Sequence, residues 1–435
     1  MSNVHIGIGL LGFGTVGVGL YSLLQKRGKG LQAEYGVDFE IKRILVRNPK
    51  KSRVVSIPKN LLSSSFDDFI NDKSIDVIVE VMGGEKPAEE YILSALKAGK
   101  SVITANKSLM AISGEKLVAR ARQYSQYFGY FAAVTGSHQF CGNIANSVLI
   151  KSLAGVFNST SNFILTRMHE GNLSFEEALK EAQVNGYAEA DPAADVDGID
   201  TCNKLVILSR LAYGIFLDRD KIPVKGIRNV SKLDMFYAKQ LGYNIKLLGI
   251  SRPMPDGKIE ARVCPCFVPL AHPLASVRGI ENGLQVHDEF RGVQTIIAEG
   301  AGANPTAAAL MRDLLALAKK EPIVWTAQSR EHSTFKYAKP HSTVRKFYVR
   351  LDAENKPGVL ASISKVFAKH GINITRVIQD ESPGGASLAP VVIMCSPTEE
   401  KNIIKALGDI EALKVVAAAP QFVRVEDALH VDDGI

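Results

Sequence analysis

The chain has 435 residues, of which 46% are hydrophobic and 22% are charged, a composition typical of a globular protein with a sizeable core. This length suggests about two to four domains. The net charge of +7 is too mild, without an aromatic and basic stripe, to indicate nucleic-acid binding, but it suits small anionic ligands. No apolar run reaches the roughly 18 residues of a membrane span, and the glycine-rich N-terminus lacks the basic leader of a signal peptide.

The cysteines are few and odd in number, which indicates reduced thiols and a cytoplasmic location. Cys264 and Cys266 are too close in sequence for an easy disulfide and lack the second pair of a zinc site. We therefore interpret this segment as part of a strand.

The first third of the chain alternates strands with helices. The predicted strands cover residues 4–11, 41–46, 75–81 and 101–104. One helix follows the first strand to about Leu24, and others cover residues 87–98 and 114–124. The alternation predicts βαβ units with a parallel sheet, in an α/β domain over residues 1–136.

The pattern changes after about residue 137. Helices are predicted at residues 142–152, 174–185, 199–213, 232–242 and 304–318, and strands at 245–250, 260–268 and 293–299. The mixture predicts an α+β domain over residues 137–326, with residues 300–325 packing back onto the first domain.

A polar linker, residues 327–345, leads to a third unit over residues 346–430. Its predicted strands are 346–351, 372–378, 390–395 and 415–425, and its predicted helices are 357–370 and 399–407. The order βαββαβ predicts a ferredoxin-like fold.

A glycine motif, Gly12-Phe13-Gly14-Thr15-Val16-Gly17, directly follows the first strand and opens a helix. In this context it predicts a dinucleotide site, with the pyrophosphate at the helix N-terminus. Arg47, helped by Lys50 or Lys51, stands where NAD sites usually carry an acid, which favours NADP over NAD. The alternatives are a glycine-rich turn without a ligand and a solvated basic turn.

The segment Gly186–Lys204 combines five carboxylates with one lysine. Asp200 and Lys204 are four residues apart on a predicted helix, so both project from one face. Lys107 follows a strand at its carboxyl end, and two ammonium groups facing one substrate would lower one pKa and create a proton donor. The alternatives are a surface ion pair and a Mg²⁺ or Ca²⁺ site in the acidic run.

With these motifs, the chain resembles homoserine dehydrogenases that carry a C-terminal ACT domain. The matching segments are Gly9–Gly17, Val77–Gly84, Ala98–Lys107, Asn158–Leu165, Leu173–Leu179, Gly186–Lys204, His272–Ala275 and Gly300–Thr306. The resemblance implies reversible NAD(P)H-dependent reduction of L-aspartate 4-semialdehyde to L-homoserine, in threonine, isoleucine and methionine biosynthesis. It implies a Rossmann-type N-terminal domain, a substrate-binding, catalytic and dimerisation domain, an ACT regulatory domain, and a homodimer or homotetramer.

The resemblance also assigns roles to residues. The catalytic set is Lys107, Lys204, Asp200 and Glu189, and the substrate contacts are Tyr187, Asp195 and Thr160. The cofactor set is Gly12, Gly14, Thr15, Val16, Gly17, Arg47, Lys50, Gly83, Thr104, Asn106 and Lys107. An effector such as threonine or another amino acid would bind Asn355, Pro357, Gly358, Val359 and Leu360; the alternative is a dimerisation module with no effector.

Two segments depart from the family pattern. Ser159 and Ser161 replace a glycine and a threonine, and the loop 131–139 replaces a glutamate with Phe131 and loses two glycines. If a Na⁺ or K⁺ site survives in this loop, carbonyls at the three positions Val134, Gly136 and His138 supply it.

The altered loop supports a second hypothesis, a catalytically impaired homologue that binds nucleotide and amino acid as a sensor or scaffold. A third hypothesis, an enzyme like aspartate-semialdehyde dehydrogenase, requires a nucleophilic cysteine. Cys141 lacks a recognisable partner base for that chemistry.

Overall fold

The structure, a computed structural model, describes residues 4–134, 138–145, 147, 149–215, 217–300, 303–321, 336–338, 343–380 and 387–427. Most of the predicted linker lies outside these ranges, as does Gly136. Within them, no helix is long and apolar enough to cross a membrane.

The N-terminal sheet is parallel and has six strands in the order β3-β2-β1-β4-β5-β6. The strands are β1 (Val4–Leu11), β2 (Val37–Leu45), β3 (Leu62–Ser63), β4 (Val77–Glu80), β5 (Ser101–Thr104) and β6 (Phe128–Gly129). The helices are α1 (Thr15–Tyr35), α2 (Asp67–Ile70), α3 (Ala88–Lys97) and α4 (Lys107–Gln123). This is the doubly wound order of dinucleotide-binding folds, so the predicted Rossmann-type sheet is confirmed.

Two helices of this unit are longer than the sequence pattern predicts. α1 continues past Leu24 because Leu31 is buried, and it ends at Gly36, whose φ of 68° provides a left-handed C-cap. α4 begins at Lys107 instead of Gly114, because the Asn106 side chain caps the helix by accepting a hydrogen bond from the Leu109 N–H.

The rest of the chain builds one sheet of ten strands, in the order β11-β10-β7-β8-β9-β16-β13-β15-β14, with β12 also beside β9. The strands are β7 (Ile150–Val156), β8 (Tyr243–Pro253), β9 (Lys258–Pro269), β10 (Glu281–Asp288), β11 (Gly292–Glu299), β12 (Lys336–Tyr337), β13 (Val344–Glu354), β14 (Ile374–Gln379), β15 (Leu388–Glu399) and β16 (Gln421–Val425). The helices are α5 (His138–Ala145), α6 (Ser159–Gly171), α7 (Phe175–Val184), α8 (Ala193–Val196), α9 (Ile199–Tyr213), α10 (Lys232–Gln240), α11 (Ala303–Ala318), α12 (Val359–Lys369) and α13 (Glu400–Ala412).

The sequence prediction is wrong or incomplete in the middle of the chain. The predicted helix 142–152 ends early, and its last residues belong to β7, which is buried between β8 and β10. α6 and β10 were not predicted. α6 is buried over most of its length, which removes the polar face that marks a surface helix, and β10 places polar Asn282 and Gln285 inside a sheet.

The last unit has the predicted βαββαβ order and the strand order β16-β13-β15-β14. Its outer strand β16 lies parallel to β9, with Arg424 opposite Cys266 and Val425 opposite Phe267. The third unit therefore extends the sheet of the second. α11 returns to the N-terminal unit, where Leu310 shares a buried core with β1 and α1.

Candidate active site

The turn after β1 is shaped for close approach of a phosphate. Gly12 has a φ of 100°, and a Cβ on Gly17 would lie 2.5 Å from the Gly12 carbonyl oxygen, so both positions require glycine. A Cβ on Gly14 would meet no heavy atom within 4 Å. Open space above Gly14, at the N-terminus of α1, is what a pyrophosphate needs.

The basic turn after β2 is exposed and is ordered by a residue that the sequence analysis did not single out. Arg53 donates to the carbonyl oxygens of Asn48 and Lys51, both at 2.7 Å, and of Pro49 at 3.2 Å. Arg47 and Lys50 are therefore presented on a backbone that Arg53 fixes.

The ends of β4 and β5 are tied together by a buried carboxyl group. The Thr104 hydroxyl donates to Glu80 at 2.6 Å, and the Met82 N–H donates to the same carboxyl at 2.7 Å. Burial raises the pKa of Glu80, while these hydrogen bonds oppose the shift. The Asn106 amide donates to the Gly84 carbonyl at 2.5 Å. Thr104 and Asn106 thus use their side chains to position the start of α4, where Lys107 lies.

The predicted pair on α9 is present, with Lys204 buried and Asp200 half-buried. Lys204 Nζ lies 2.6 Å from an Asp200 carboxylate oxygen and donates to the Phe157 carbonyl oxygen at 2.5 Å. Lys204 is only 6% exposed. Burial opposes ionisation of Asp200, but Lys204 and Lys107 outweigh it and hold the pKa of this carboxyl below its usual value.

Lys107 brings a second ammonium group to the same place from the N-terminal unit. Burial lowers its pKa; Asp200 opposes the shift, and Lys204 adds to it. Lys107 is half-buried as a residue, and its ammonium interacts electrostatically with Asp200, Lys204 and Asp195. The Asp200 carboxylate thus interacts with two amines, of which Lys204 is buried and Lys107 is half-buried.

Asn158 joins two carboxylates and was not predicted as a site residue. Its amide nitrogen donates to Asp195 at 2.6 Å and to Asp200 at 2.9 Å, while its oxygen accepts from the Ser161 N–H and caps α6. Burial and then the Asp200 charge raise the pKa of Asp195, against the Asn158 hydrogen bond. An Asn at a helix N-cap inside a family motif was the available signal.

Asn282, on the unpredicted strand β10, supports the other side of the cluster. Its amide donates to the same Phe157 carbonyl at 3.2 Å, and its oxygen accepts from the Ser159 hydroxyl at 3.1 Å. The Ser159 hydroxyl, which departs from the family pattern, is thus hydrogen-bonded to buried Asn282.

Comparison with known proteins agrees with this architecture. Three family models match: the homoserine dehydrogenase NAD-binding domain over residues 12–130, homoserine dehydrogenase over 139–315, and the ACT domain over 347–413. The homoserine dehydrogenase of Bacillus subtilis is 35% identical over 427 residues, covering 97% of this chain and 98% of its own. The chain belongs to the homoserine dehydrogenase family. It is an oxidoreductase.

Other homoserine dehydrogenases give the same result. That of Synechocystis is 35% identical, covering 96% of this chain and 99% of its own. The crystal structure of a homoserine dehydrogenase from Thiobacillus denitrificans superposes with a TM-score of 0.88 at 34% identity, covering 98% of this chain and 99% of its own. A hyperthermophilic archaeal homoserine dehydrogenase in complex with NADPH shares the fold, with a TM-score of 0.61 at 24% identity over 73% of this chain and 99% of its own.

Some predicted homoserine dehydrogenase site residues lie outside the buried cluster. Glu189 is exposed, and the contact described for it is through its backbone carbonyl to Gln183. Tyr187 is 42% exposed, and its carbonyl accepts from the Thr160 hydroxyl at 2.6 Å. Tyr187 and Thr160 therefore form one wall next to the cluster, while the Glu189 carboxylate points to no described member of it.

The altered loop is held by α11. Phe131 is buried, and its N–H donates to the Asp313 carboxyl group at 3.1 Å. Burial raises the pKa of this carboxyl group to about 7. Val134 is described, Gly136 is not, and only the backbone of His138 is described. Burial also raises the pKa of the Cys141 thiol well above its usual value, which disfavours the third hypothesis.

The acidic run does not assemble into a metal site in the described part of the chain. No group of three or more His, Cys, Asp or Glu side chains there could hold a metal ion. Asp197 forms a bidentate ion pair with Arg228 instead, at 2.5 and 3.0 Å.

Proposed function

We propose that the chain reduces L-aspartate 4-semialdehyde reversibly to L-homoserine, with NADPH in preference to NADH, on the route to threonine, isoleucine and methionine. The observation that supports this most strongly is the pair of half-buried Asp200 and buried Lys204, which interacts with Lys107 where the two main units meet. The glycine turn at Gly12–Gly17 fits a dinucleotide, and the bound nicotinamide is the source of the hydride.

Asp195 is proposed to hold the substrate ammonium, and Glu189 to join it from the exposed segment. Asp195 already accepts from Asn158, and its carboxylate is only half-buried, so one face remains for a cation. Tyr187 and Thr160 border the same space.

Lys204 is proposed to orient the aldehyde oxygen. Its ammonium has two fixed acceptors, Asp200 and the Phe157 carbonyl, so its third proton has a defined direction. A positioned cation stabilises the negative charge that develops on the oxygen.

Lys107 is proposed to donate the proton. The pKa of Lys107 is lowered by burial and by Lys204, which brings an amine closer to the range where proton donation at neutral pH is efficient. Asp200 opposes the shift and so keeps Lys107 protonated until the oxygen accepts the proton.

The test is NADPH oxidation with L-aspartate 4-semialdehyde. Lys204→Ala should reduce kcat/KM by at least about 100-fold. Lys180→Ala, on the exposed face of α7, is the matched control and should match the wild type. Retained NADPH binding by fluorescence shows that each variant is folded. Wild-type-like turnover in K204A, or no turnover in a folded wild type that binds NADPH, contradicts the proposal, and the second result favours the sensor hypothesis.

Arg47 and Lys50 are proposed to bind the 2′-phosphate. Both are exposed on the turn that Arg53 orders. Arg47→Ala should raise the KM for NADPH by about 10-fold or more and leave the KM for NADH unchanged. Equal effects on both cofactors would refute the assignment. Lys59→Ala, an exposed residue on the same connection, is the control.

The ACT unit is proposed to bind an amino-acid effector, such as threonine, at Asn355, Pro357, Gly358, Val359 and Leu360. Gly358 has a φ of 89° at the N-cap of α12, so the helix N-terminus is open to a carboxylate. In an enzyme that threonine inhibits, Asn355→Ala should lose inhibition and keep turnover. Lys356→Ala, with its exposed ion pair, is a neighbouring control; unchanged inhibition in N355A would contradict the site.

Three further predictions complete the proposal. The chain forms a homodimer or homotetramer, and it is located in the cytoplasm. The free state of all five cysteines supports the cytoplasmic location. Carbonyls at Val134, Gly136 and His138 bind Na⁺ or K⁺, although only the first of these positions has a fully described residue. No step of the mechanism is assigned to that cation.

A further inference from the structure

A cavity of about 380 Å³ lies at the junction between the catalytic and ACT units. One wall comes from β9, including Val263, and from residues 221–225, including Lys225. The other comes from β16 and α13, including Phe422, Arg424 and Ile404. It is separate from the loop at Gly358 and from the Asp200–Lys204 cluster. Its lining is mainly apolar with a few charged groups, which is typical of sites for small organic ligands.

Two cations in the cavity lining, one from each wall, lie next to the same aromatic ring. The Lys225 ammonium lies 5.3 Å from the centre of the Phe422 ring, and the Arg424 guanidinium lies 5.7 Å from the same ring. Arg424 is paired with Glu400 at 2.7 Å. Lys225 forms no ion pair with any carboxylate in the described part of the chain. Burial, and then Arg424, lower the pKa of Lys225, whereas Cys264, Asp234 and Glu400 oppose this shift.

The two carboxylates in the lining are both engaged by arginines. Glu400 pairs with Arg424, and Glu260 pairs with Arg252 and Arg345. The cavity thus offers the Lys225 ammonium to a ligand, and both of its described lining carboxylates are already paired with arginines. This favours a carboxylate over a zwitterion, because an added ammonium would meet only carboxylates that arginines already hold.

We propose that this cavity binds a small monocarboxylate with an apolar tail, the carboxylate at Lys225 and the tail against Phe422 and Val263. An anion at Lys225 would give this half-buried ammonium an ion-pair partner, and the tail buries apolar surface. The site is distinct from the proposed amino-acid effector loop.

Occupancy of the cavity is connected to the active site through residues 225–228. The Lys225 N–H donates to the Val263 carbonyl at 2.8 Å, and the Ile227 N–H donates to the Val196 carbonyl at 2.8 Å. Arg228, the next residue, forms the bidentate ion pair with Asp197. In the chain, Asp197 lies between Asp195, which is proposed to hold the substrate ammonium, and Asp200, so a shift of this segment alters the KM for the semialdehyde. This coupling rests on the proposed function, whereas the binding does not.

The test is calorimetric titration of the full chain with 3-phenylpropanoate, without substrate. We expect saturable binding by the wild type and at least 10-fold weaker binding by Lys225→Met, which keeps an apolar side chain against Phe422. Lys180→Met is the matched control and should bind like the wild type. 3-Phenylpropanamide, of the same shape without the charge, should bind at least 10-fold more weakly.

Equal binding by K225M and the wild type, equal binding of acid and amide, or no binding at millimolar concentration would overturn the proposal. Tighter binding of L-phenylalanine than of 3-phenylpropanoate would overturn the preference for a monocarboxylate. Arg228→Met should keep the affinity for 3-phenylpropanoate but lose its effect on the KM for the semialdehyde. Binding is read without turnover, so failure of the binding experiment and failure of the proposed reaction are separate results.

Discussion

Asn158→Ser removes the amide that bridges Asp195 and Asp200 and keeps a side chain that can cap α6. The wild-type amide donates two hydrogen bonds to carboxylates, at 2.6 and 2.9 Å. Hydrogen bonds to charged groups contribute about 1.5–3 kcal/mol each. Water can enter the half-buried site and replace part of this. We therefore expect a loss of about 2 kcal/mol in transition-state binding, which is about 30-fold in kcat/KM.

The pH profile of this variant separates a site effect from a loss of stability. Asn158 lowers the pKa of Asp195, which burial and Asp200 raise. Without the amide this pKa rises further, so activity should fall at a higher pH than in the wild type as the solution is acidified. The assay is kcat/KM for the semialdehyde from pH 5 to 9, at saturating NADPH.

The control is Ser174→Ala, which removes an exposed capping box on α7. This variant should lose about 1 kcal/mol of stability and keep the wild-type pH profile. An N158S enzyme with kcat/KM within threefold of the wild type and an unmoved acid limb would refute the bridging role.

The remaining predictions concern a proton donor, a buried acid and the domain junction. Lys107→Met should lower kcat at least about 100-fold with little change in KM. A loss of NADPH affinity as large as the loss of kcat would contradict its role as the proton donor. Burial raises the pKa of Asp313 to about 7, so the folded protein loses stability as the pH rises from about 4 to about 7. Over this range the stability of Asp313→Asn, measured by urea unfolding, should increase relative to the wild type by roughly 1 kcal/mol per pH unit. A pH-independent difference between the two proteins would refute this. Arg345→Met leaves Glu426 short of a buried partner and should cost about 3–5 kcal/mol, whereas Lys346→Met, in an exposed pair, should cost under about 1 kcal/mol. Equal stabilities of these two variants would show that the buried cluster contributes nothing.

Local signals predicted the parts of the fold and site that depend on local sequence. The glycine turn, the i,i+4 pair of Asp200 and Lys204 and the alternation of the ACT unit all follow from spacing within one segment. Asn158 and Asn282 could not be found this way, because their roles arise from contacts with residues 37 to 125 positions away in the chain. A polar residue buried in an unpredicted strand carries no periodic signal, so β10 and its contribution to the site are visible only in the folded chain.

The joining of the ACT unit to the catalytic sheet bears on how regulation can work. β9 pairs with β16, and buried Glu260 and Arg262 tie it to Arg345 and Glu426 across the junction. Such a junction resists gradual sliding, because shifting β16 by one residue against β9 would break the strand pairing and leave buried charges without partners. An effector can change activity only through its different affinity for two arrangements of the protein. Those arrangements must keep this junction intact, so we expect the change to occur beside it, in the segment that carries Lys225 toward the active site.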